Sequence, residues 1–191
     1  MVKIYSEKIR SDFEGTIIDL ETIGYFNDRF DDSRRYRNII PVIFGYMDRD
    51  GIRILCAEDH GSITDLGIEI TRLLGSLERP FYAFNADFER GVLFNHLRNK
   101  VAFEGELNRE KFESKKRVIQ SFGIPNYGDP CNDNGLLCSQ YWLKGKIEPA
   151  ILHNRSYLLK ERDILLKRGF RKPDKLRLIN NEKIGGSSLE C

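Results

Sequence analysis

The chain has no pair of cysteines at C-x-x-C spacing and no histidine placed to complete a zinc motif. Cys56, Cys131, Cys138 and Cys191 are scattered, which argues against a disulfide framework or a zinc finger. Free thiols fit a reducing compartment, so a cytoplasmic location is expected. No stretch approaches the ~20 apolar residues of a membrane span. The longest apolar run, around Ile39–Tyr46, contains Pro41 and Gly45 and has strand length. Met1-Val2-Lys3-Ile4-Tyr5 lacks the charged head and long apolar core of a secretory signal. An excess of one charge is also missing. The 31 Lys+Arg and 29 Asp+Glu leave a net +2, so any basic surface must be local. No internal repeat or low-complexity block is present. What is there is an ordinary composition, 40% hydrophobic over 191 residues, enough for one domain with a full core.

The most informative segment is Gly15-Thr16-Ile17-Ile18-Asp19-Leu20-Glu21-Thr22-Ile23-Gly24. Its β-branched residues, bracketed by glycines, predict a strand. Side chains alternate along a strand, so Asp19 and Glu21 project to one side, roughly 6–7 Å apart. Two like charges on a buried face repel and resist desolvation. A cation between them relieves both costs, and hard divalent ions such as Mg²⁺ prefer carboxylate oxygen.

Further strands are expected over 38–47 and 52–57, the latter after an Asp50-Gly51 turn. The spacing of Ile63, Leu66, Ile70, Leu73, Leu74 and Leu77 predicts a helix over 62–77. A short strand at 81–84 precedes a helix over 86–98, with Asn85 as its N-cap. A strand near 101–107, a charged helix over 108–121 and a loop over 123–135 follow. Pro149 opens a long helix to about 168. The order predicts an α/β domain, a mixed sheet of three antiparallel strands and then parallel ones, flanked by helices. Residues 1–170 form that domain. Residues 171–191 read as a basic, flexible tail, and Gly185–Cys191 are set apart from the fold.

Partner carboxylates are needed to enclose a cation. Asp87 has Arg90 one turn on, so a solvated salt bridge accounts for it. Glu89 has Ala86, Val92 and Leu93 at helical spacing and no cationic mate there. In the last helix, Asp163 has Lys160 and Lys167, whereas Glu161 sits among Tyr157, Leu158, Ile164 and Leu165. His153 and Tyr157 precede Glu161 on the same helix, and His153 is a candidate for proton transfer.

These residues resemble the DnaQ-like (DEDD) 3′–5′ exonucleases of the RNase H-like superfamily. Ile18-Asp19-Leu20-Glu21-Thr22 is similar to that family's Asp-x-Glu on its first strand. Phe84-Asn85-Ala86-Asp87-Phe88-Glu89 is similar to its second motif, with Glu89 where Asp is usual. The third falls on His153-Asn154-Arg155-Ser156-Tyr157-Leu158-Leu159-Lys160-Glu161, where two registers fit. Tyr157 lies four residues before Glu161, as a Tyr precedes the acid in one subgroup. In another, His/Tyr-Asn-x-x-Asp would align its Asp with Tyr157. Whether Glu161 or Asp163 is the acid stays open at this point.

The resemblance implies an RNase H-like fold over roughly 14–168 and metal-dependent hydrolysis of DNA or RNA from a single-stranded 3′ end. It implies two Mg²⁺ or Mn²⁺ ions held by Asp19, Glu21, Glu89 and Glu161. His153 would orient or deprotonate the attacking water, with Tyr157 as its substitute. Nucleic acid would be gripped by Arg34, Arg35 and Arg37 with Tyr36, by Lys111, Lys115, Lys116 and Arg117, and by Lys167, Arg168, Arg171 and Lys172. Tyr127, Asp129 and Asp133 could border the cleft or be turn residues. The alternative is a catalytically eroded module that binds nucleic acid or a protein.

Overall fold

The structure, a computed structural model, describes residues 1–111 and 113–179. Six strands form one sheet: β1 (Val2–Glu7), β2 (Thr16–Gly24), β3 (Ile39–Met47), β4 (Ile52–Ala57), β5 (Phe81–Ala83) and β6 (Gly105–Glu106). Their order is β1-β4-β3-β2-β5-β6. The β1/β4, β4/β3 and β3/β2 pairs are antiparallel, and β2/β5 and β5/β6 are parallel. Five helices flank it: α1 (Ile63–Leu74), α2 (Ala86–Leu97), α3 (Lys115–Ser121), α4 (Gly135–Leu143) and α5 (Ile147–Arg168). The protein is thus an α/β domain with a mixed open sheet, and its layout is consistent with an RNase H-like one. None of the described helices is long and apolar enough to cross a membrane.

Local chemistry accounts for most element boundaries. The Asp48 carboxylate accepts hydrogen bonds from the backbone N–H of Asp50 and Gly51, closing the β3–β4 turn. Asp59 and Ser62 form a capping box just ahead of α1, which buries Leu66, Ile70 and Leu74. Helix α5 tolerates Pro149 because a first-turn N–H has no intrahelical partner. It packs on β2, β3 and β4, with α4 lying against it. Trp142 of α4 donates its indole N–H to Ala57 O at 2.5 Å, tying that helix to β4.

Three elements depart from the expectation. β1 is an extra antiparallel strand, and its edge position, with none of its residues buried, leaves little apolar alternation to read. The helix over 108–121 begins only at Lys115, capped by Ser114. Upstream, Asn108 is held instead by Arg171, whose guanidinium donates to its side chain at 2.8 Å. Helix α4 was not expected because Leu136 and Leu143 face solvent while Cys138 and Trp142 are buried, which blurs the 3.6-residue period. After Gly169 the chain lies along the domain through residue 179: Arg177 O accepts from Ser33 N–H, and Ile179 N–H donates to the Ser33 hydroxyl. The rest of the expected tail, 180–191, is outside the described residues.

Candidate functional site

Asp19 and Glu21 leave β2 on the side that carries α5, as alternation requires. The β2–β3 register shifts between Glu21, paired with Ile43, and Thr22, paired with Pro41, so a bulge at Val42 sits beside the acids. Gly45 of β3 pairs with Asp19. A Cβ at Gly45 would lie 1.9 Å from Asn154 Oδ1, so glycine is what lets α5 approach the sheet here. The Asn154 amide, a partner the sequence reading missed, donates to Asp19 Oδ2 at 2.8 Å and to Asp19 O at 3.2 Å. Gly45→Ala is therefore expected to destabilise the fold by about 2–3 kcal/mol through overpacking and loss of that bond. Urea unfolding measures it, and an unchanged midpoint would remove the contact from the account.

Glu89 of α2 and Glu161 of α5 are both buried, as their apolar neighbours predict. Glu161 is the acid that joins Asp19; Asp163 turns away to Arg162 at 2.7 Å and to Tyr127. Asp87 lies 3.4 Å from Arg90, the expected partner, but the pair is half-buried and not solvated. Lys160, expected beside Asp163, is instead fully buried between Asp129 at 3.1 Å and Asp133 at 2.6 Å.

The centre of the acid group holds a side chain expected elsewhere. Lys115, assigned from the sequence to a surface cluster, turns its ammonium inward. It donates to Glu161 Oε1 at 2.5 Å and to Asp19 Oδ1 at 2.9 Å, and it lies 4.1 Å from the Tyr157 ring centroid. One ammonium does not satisfy four acids. Glu21 Oε1, Glu89 Oε2 and Glu161 Oε2 are buried and have no hydrogen-bond partner among the described residues. Buried carboxylate oxygens without donors suit an oxygen-seeking cation in kind, but among the described residues the groups whose ligand atoms lie within 4.8 Å of one another are Glu21, Cys138, His153 and Asp129, Cys131, His153, not the four acids.

Electrostatics record the same crowding. Burial pushes Glu21 up from 4.5 to about 7, helped by Asp19 and opposed by His153 and Lys115. Burial, Asp19 and Glu161 hold Glu89 well above the carboxylate range. Burial also raises Glu161 well above it, with Lys115 working the other way. Burial works against the Lys115 charge, but Asp19 and Glu161 overcome it and hold its pKa well above the ordinary lysine value.

His153 is fully buried and lies behind Glu21. Its Nδ1 is 2.7 Å from Asp129 Oδ1 and its Nε2 is 3.7 Å from Glu21 Oε1. Burial lowers its pKa, but Glu21 and Asp129 outweigh burial and raise it. Tyr157 stacks on it with ring centroids 4.2 Å apart. Burial drives the Tyr157 phenol far above its ordinary value, so it stays protonated.

The sign of the resulting pH dependence follows. Glu21 binds its proton more tightly folded than unfolded, so stability falls as pH rises from about 4.5 through 7. The full swing for this group is roughly 3 kcal/mol. Glu89, Glu161 and His153 act in the same direction. Glu7 and Glu113, held low by Arg155 and Arg168, lose their contribution only in more acid solution. Without divalent ions the melting temperature should therefore be higher at pH 5 than at pH 8. Calorimetry across that range checks it; a higher value at pH 8 would contradict the assigned burial.

Several expected basic contacts are occupied within the fold. Arg34 pairs with Asp32, Arg35 with Asp28, Arg168 with Glu113 and Arg171 with Glu106, and Tyr36 is buried. Lys116 and Arg117 are exposed on α3. A cleft of about 360 Å³ lies beside Asn85, Arg35 and Lys111, but none of the four acids lines it.

Fold and donor set together define an α/β domain, RNase H-like in layout, with a buried carboxylate group at the junction of β2, α2 and α5. The chain matches no protein-family model, and no curated protein or solved structure is significantly similar to it.

Proposed function

We propose that this protein is a metal-dependent 3′–5′ exonuclease that hydrolyses phosphodiester bonds of DNA or RNA by a two-metal-ion mechanism. The observation that carries the reading is that Asp19, Glu21, Glu89 and Glu161 are all buried on neighbouring elements, near enough for their charges to interact, and leave three carboxylate oxygens orphaned. These acids would hold Mg²⁺ or Mn²⁺. When bound, such ions supply Lewis acidity to the attacking water and the leaving 3′ oxygen. Asn154 fixes the rotamer of Asp19, and His153, anchored by Asp129, lies 3.7 Å from Glu21, at ion-pair and not hydrogen-bond distance. Tyr157 keeps its proton, so it suits donation of a hydrogen bond to water better than abstraction of a proton. Tyr25 and Phe26, exposed just after β2, offer rings for stacking unpaired bases.

Lys115 favours a second reading. Its ammonium already supplies part of the charge the acids need, so they could persist in a binding module that no longer hydrolyses anything. The test is incubation with 5′-labelled single-stranded DNA and RNA, with a free or blocked 3′ end, in Mg²⁺, Mn²⁺ or EDTA. The exonuclease reading expects a ladder that shortens from free 3′ ends and vanishes in EDTA. Salt-sensitive binding without cleavage would favour the binding module.

A further inference from the structure

Beside the carboxylate group lies a second set of donors of different chemistry. Glu21 of β2, Cys138 of α4 and His153 of α5 bring one ligand atom each to within 4.8 Å of one another. All three residues are buried. Two of the donor atoms are orphaned: His153 Nε2 and Glu21 Oε1 have no hydrogen-bond partner among the described residues. The Cys138 thiol makes a long, 3.8 Å contact to Ala150 O and also interacts with the Glu21 carboxylate. Cys131 belongs to an adjoining group, with Asp129 and His153, whose ligand atoms also lie within 4.8 Å of one another, so a fourth donor borders the set.

The histidine is prepared as a ligand. Metal-bound imidazoles usually donate their second N–H to a carboxylate, which fixes the tautomer and aims the free lone pair. Asp129 does this for His153, accepting at Nδ1 over 2.7 Å. Asp129 is itself fixed by Lys160 at 3.1 Å and by the backbone N–H groups of Cys131 and Asp133 at 2.8 and 2.9 Å. This anchoring leaves Nε2 pointing at Glu21 and at nothing that donates to it.

We infer that Glu21, Cys138 and His153, with Cys131 beside them, form a binding site for a thiolate- and imidazole-preferring divalent cation, with Zn²⁺ as the best match. Thiolate, imidazole and carboxylate together suit zinc and not magnesium. Tetrahedral zinc sets its ligand atoms roughly 3.5 Å apart, so spacings within 4.8 Å need to contract by at most about 1.3 Å. Entry is from the Glu21 side, which keeps 9% of its side chain exposed. Spacing rules missed the site because its ligands come from three elements and the cysteines are seven residues apart. The inference does not rest on the nuclease reading, although Glu21 belongs to both groups.

The test uses the full chain carrying Cys191→Ser, reduced, and Co²⁺ as the spectroscopic stand-in. A thiolate-to-cobalt charge-transfer band is expected in the near ultraviolet, with four-coordinate visible bands, all displaced by equimolar Zn²⁺. The band should disappear in Cys138→Ser and persist in Cys56→Ser. Asp129→Asn should weaken Zn²⁺ binding by about 10–100-fold with the band retained at saturation. Absence of a thiolate band at saturating Co²⁺, or its survival in Cys138→Ser, overturns the proposal. If Cys138→Ser does not fold, zinc-edge X-ray absorption of the Zn²⁺-loaded parent decides. At least one sulfur in the shell supports the site, and an all-oxygen and nitrogen shell refutes it. Mg²⁺-dependent cleavage is scored separately, since Mg²⁺ gives no thiolate band.

Discussion

Asp19→Asn is expected to lower metal-dependent phosphodiester hydrolysis by on the order of 10³-fold, while single-stranded nucleic acid still binds. Asp19 is the one acid linked to both other parts of the site. Its Oδ1 accepts from Lys115 and its Oδ2 from Asn154. The amide keeps the shape, and with its oxygen turned to Asn154 it can still accept that hydrogen bond, but its NH2 then faces the Lys115 ammonium and that bond is lost. What it removes is the charge that a hard cation needs from its ligand. The fold should survive, because Glu161 still partners Lys115 and repulsion felt by Glu21 and Glu89 is relieved, although losing one carboxylate of the buried ion pair costs stability. Melting temperature should thus fall modestly at pH 8, while the rate collapses. Single-turnover cleavage under saturating Mg²⁺ measures the loss. A variant that cleaves within tenfold of the parent would remove Asp19 from the ion-binding set.

Much of this site can be read from local pattern, and the unreadable parts share a cause. Asp19 and Glu21 declare themselves because strand alternation is a two-residue rule, and both face α5 as it requires. Glu89 and Glu161 follow from helix neighbours three and four residues away, and both are buried. Asp87 and Asp163 separate from them by the same logic, although the partners of Asp163 are Arg162 and Tyr127 and not the lysines at helical spacing. Lys115 escapes because it lies in a run of charged residues and its destination is 96 positions away in sequence. Nothing short-range distinguishes it from exposed Lys116. Asp129 escapes for a similar reason: in a Gly/Pro/Asn/Asp loop it looks like a turn residue, and only the fold brings it to His153 and Lys160. The sheet is legible wherever one face is buried. It is least so at β1, whose edge position leaves none of its residues buried.

Lys115 then becomes the most informative residue to remove. Lys115→Met keeps the length and apolar stem of the side chain and deletes its ammonium. Asp19 and Glu161 would be left buried with no cation between them, a loss worth about 3–5 kcal/mol. For a chain of this size that corresponds to a melting temperature lower by roughly 10 °C at pH 8. The deficit shrinks toward acid. Without the ammonium, which opposes the upward shift of Glu161, that carboxyl holds its proton still more tightly, and the loss should be smaller by pH 5. Divalent ions test what the acids are for. A cation that binds only the folded state stabilises it by RT ln(1 + [L]/Kd), about 2.7 kcal/mol at a hundredfold excess over Kd. If the acids are an ion site that Lys115 partly fills, Mg²⁺ or Mn²⁺ should raise the melting temperature of Lys115→Met far more than that of the parent. If Lys115 is a permanent structural counter-ion, the variant should stay unstable in both ions and recover only with acid. Calorimetric scans at pH 5 and 8, with and without Mn²⁺, separate the two. A variant as stable as the parent at pH 8 without metal would show that the buried ion pair itself has been misassigned.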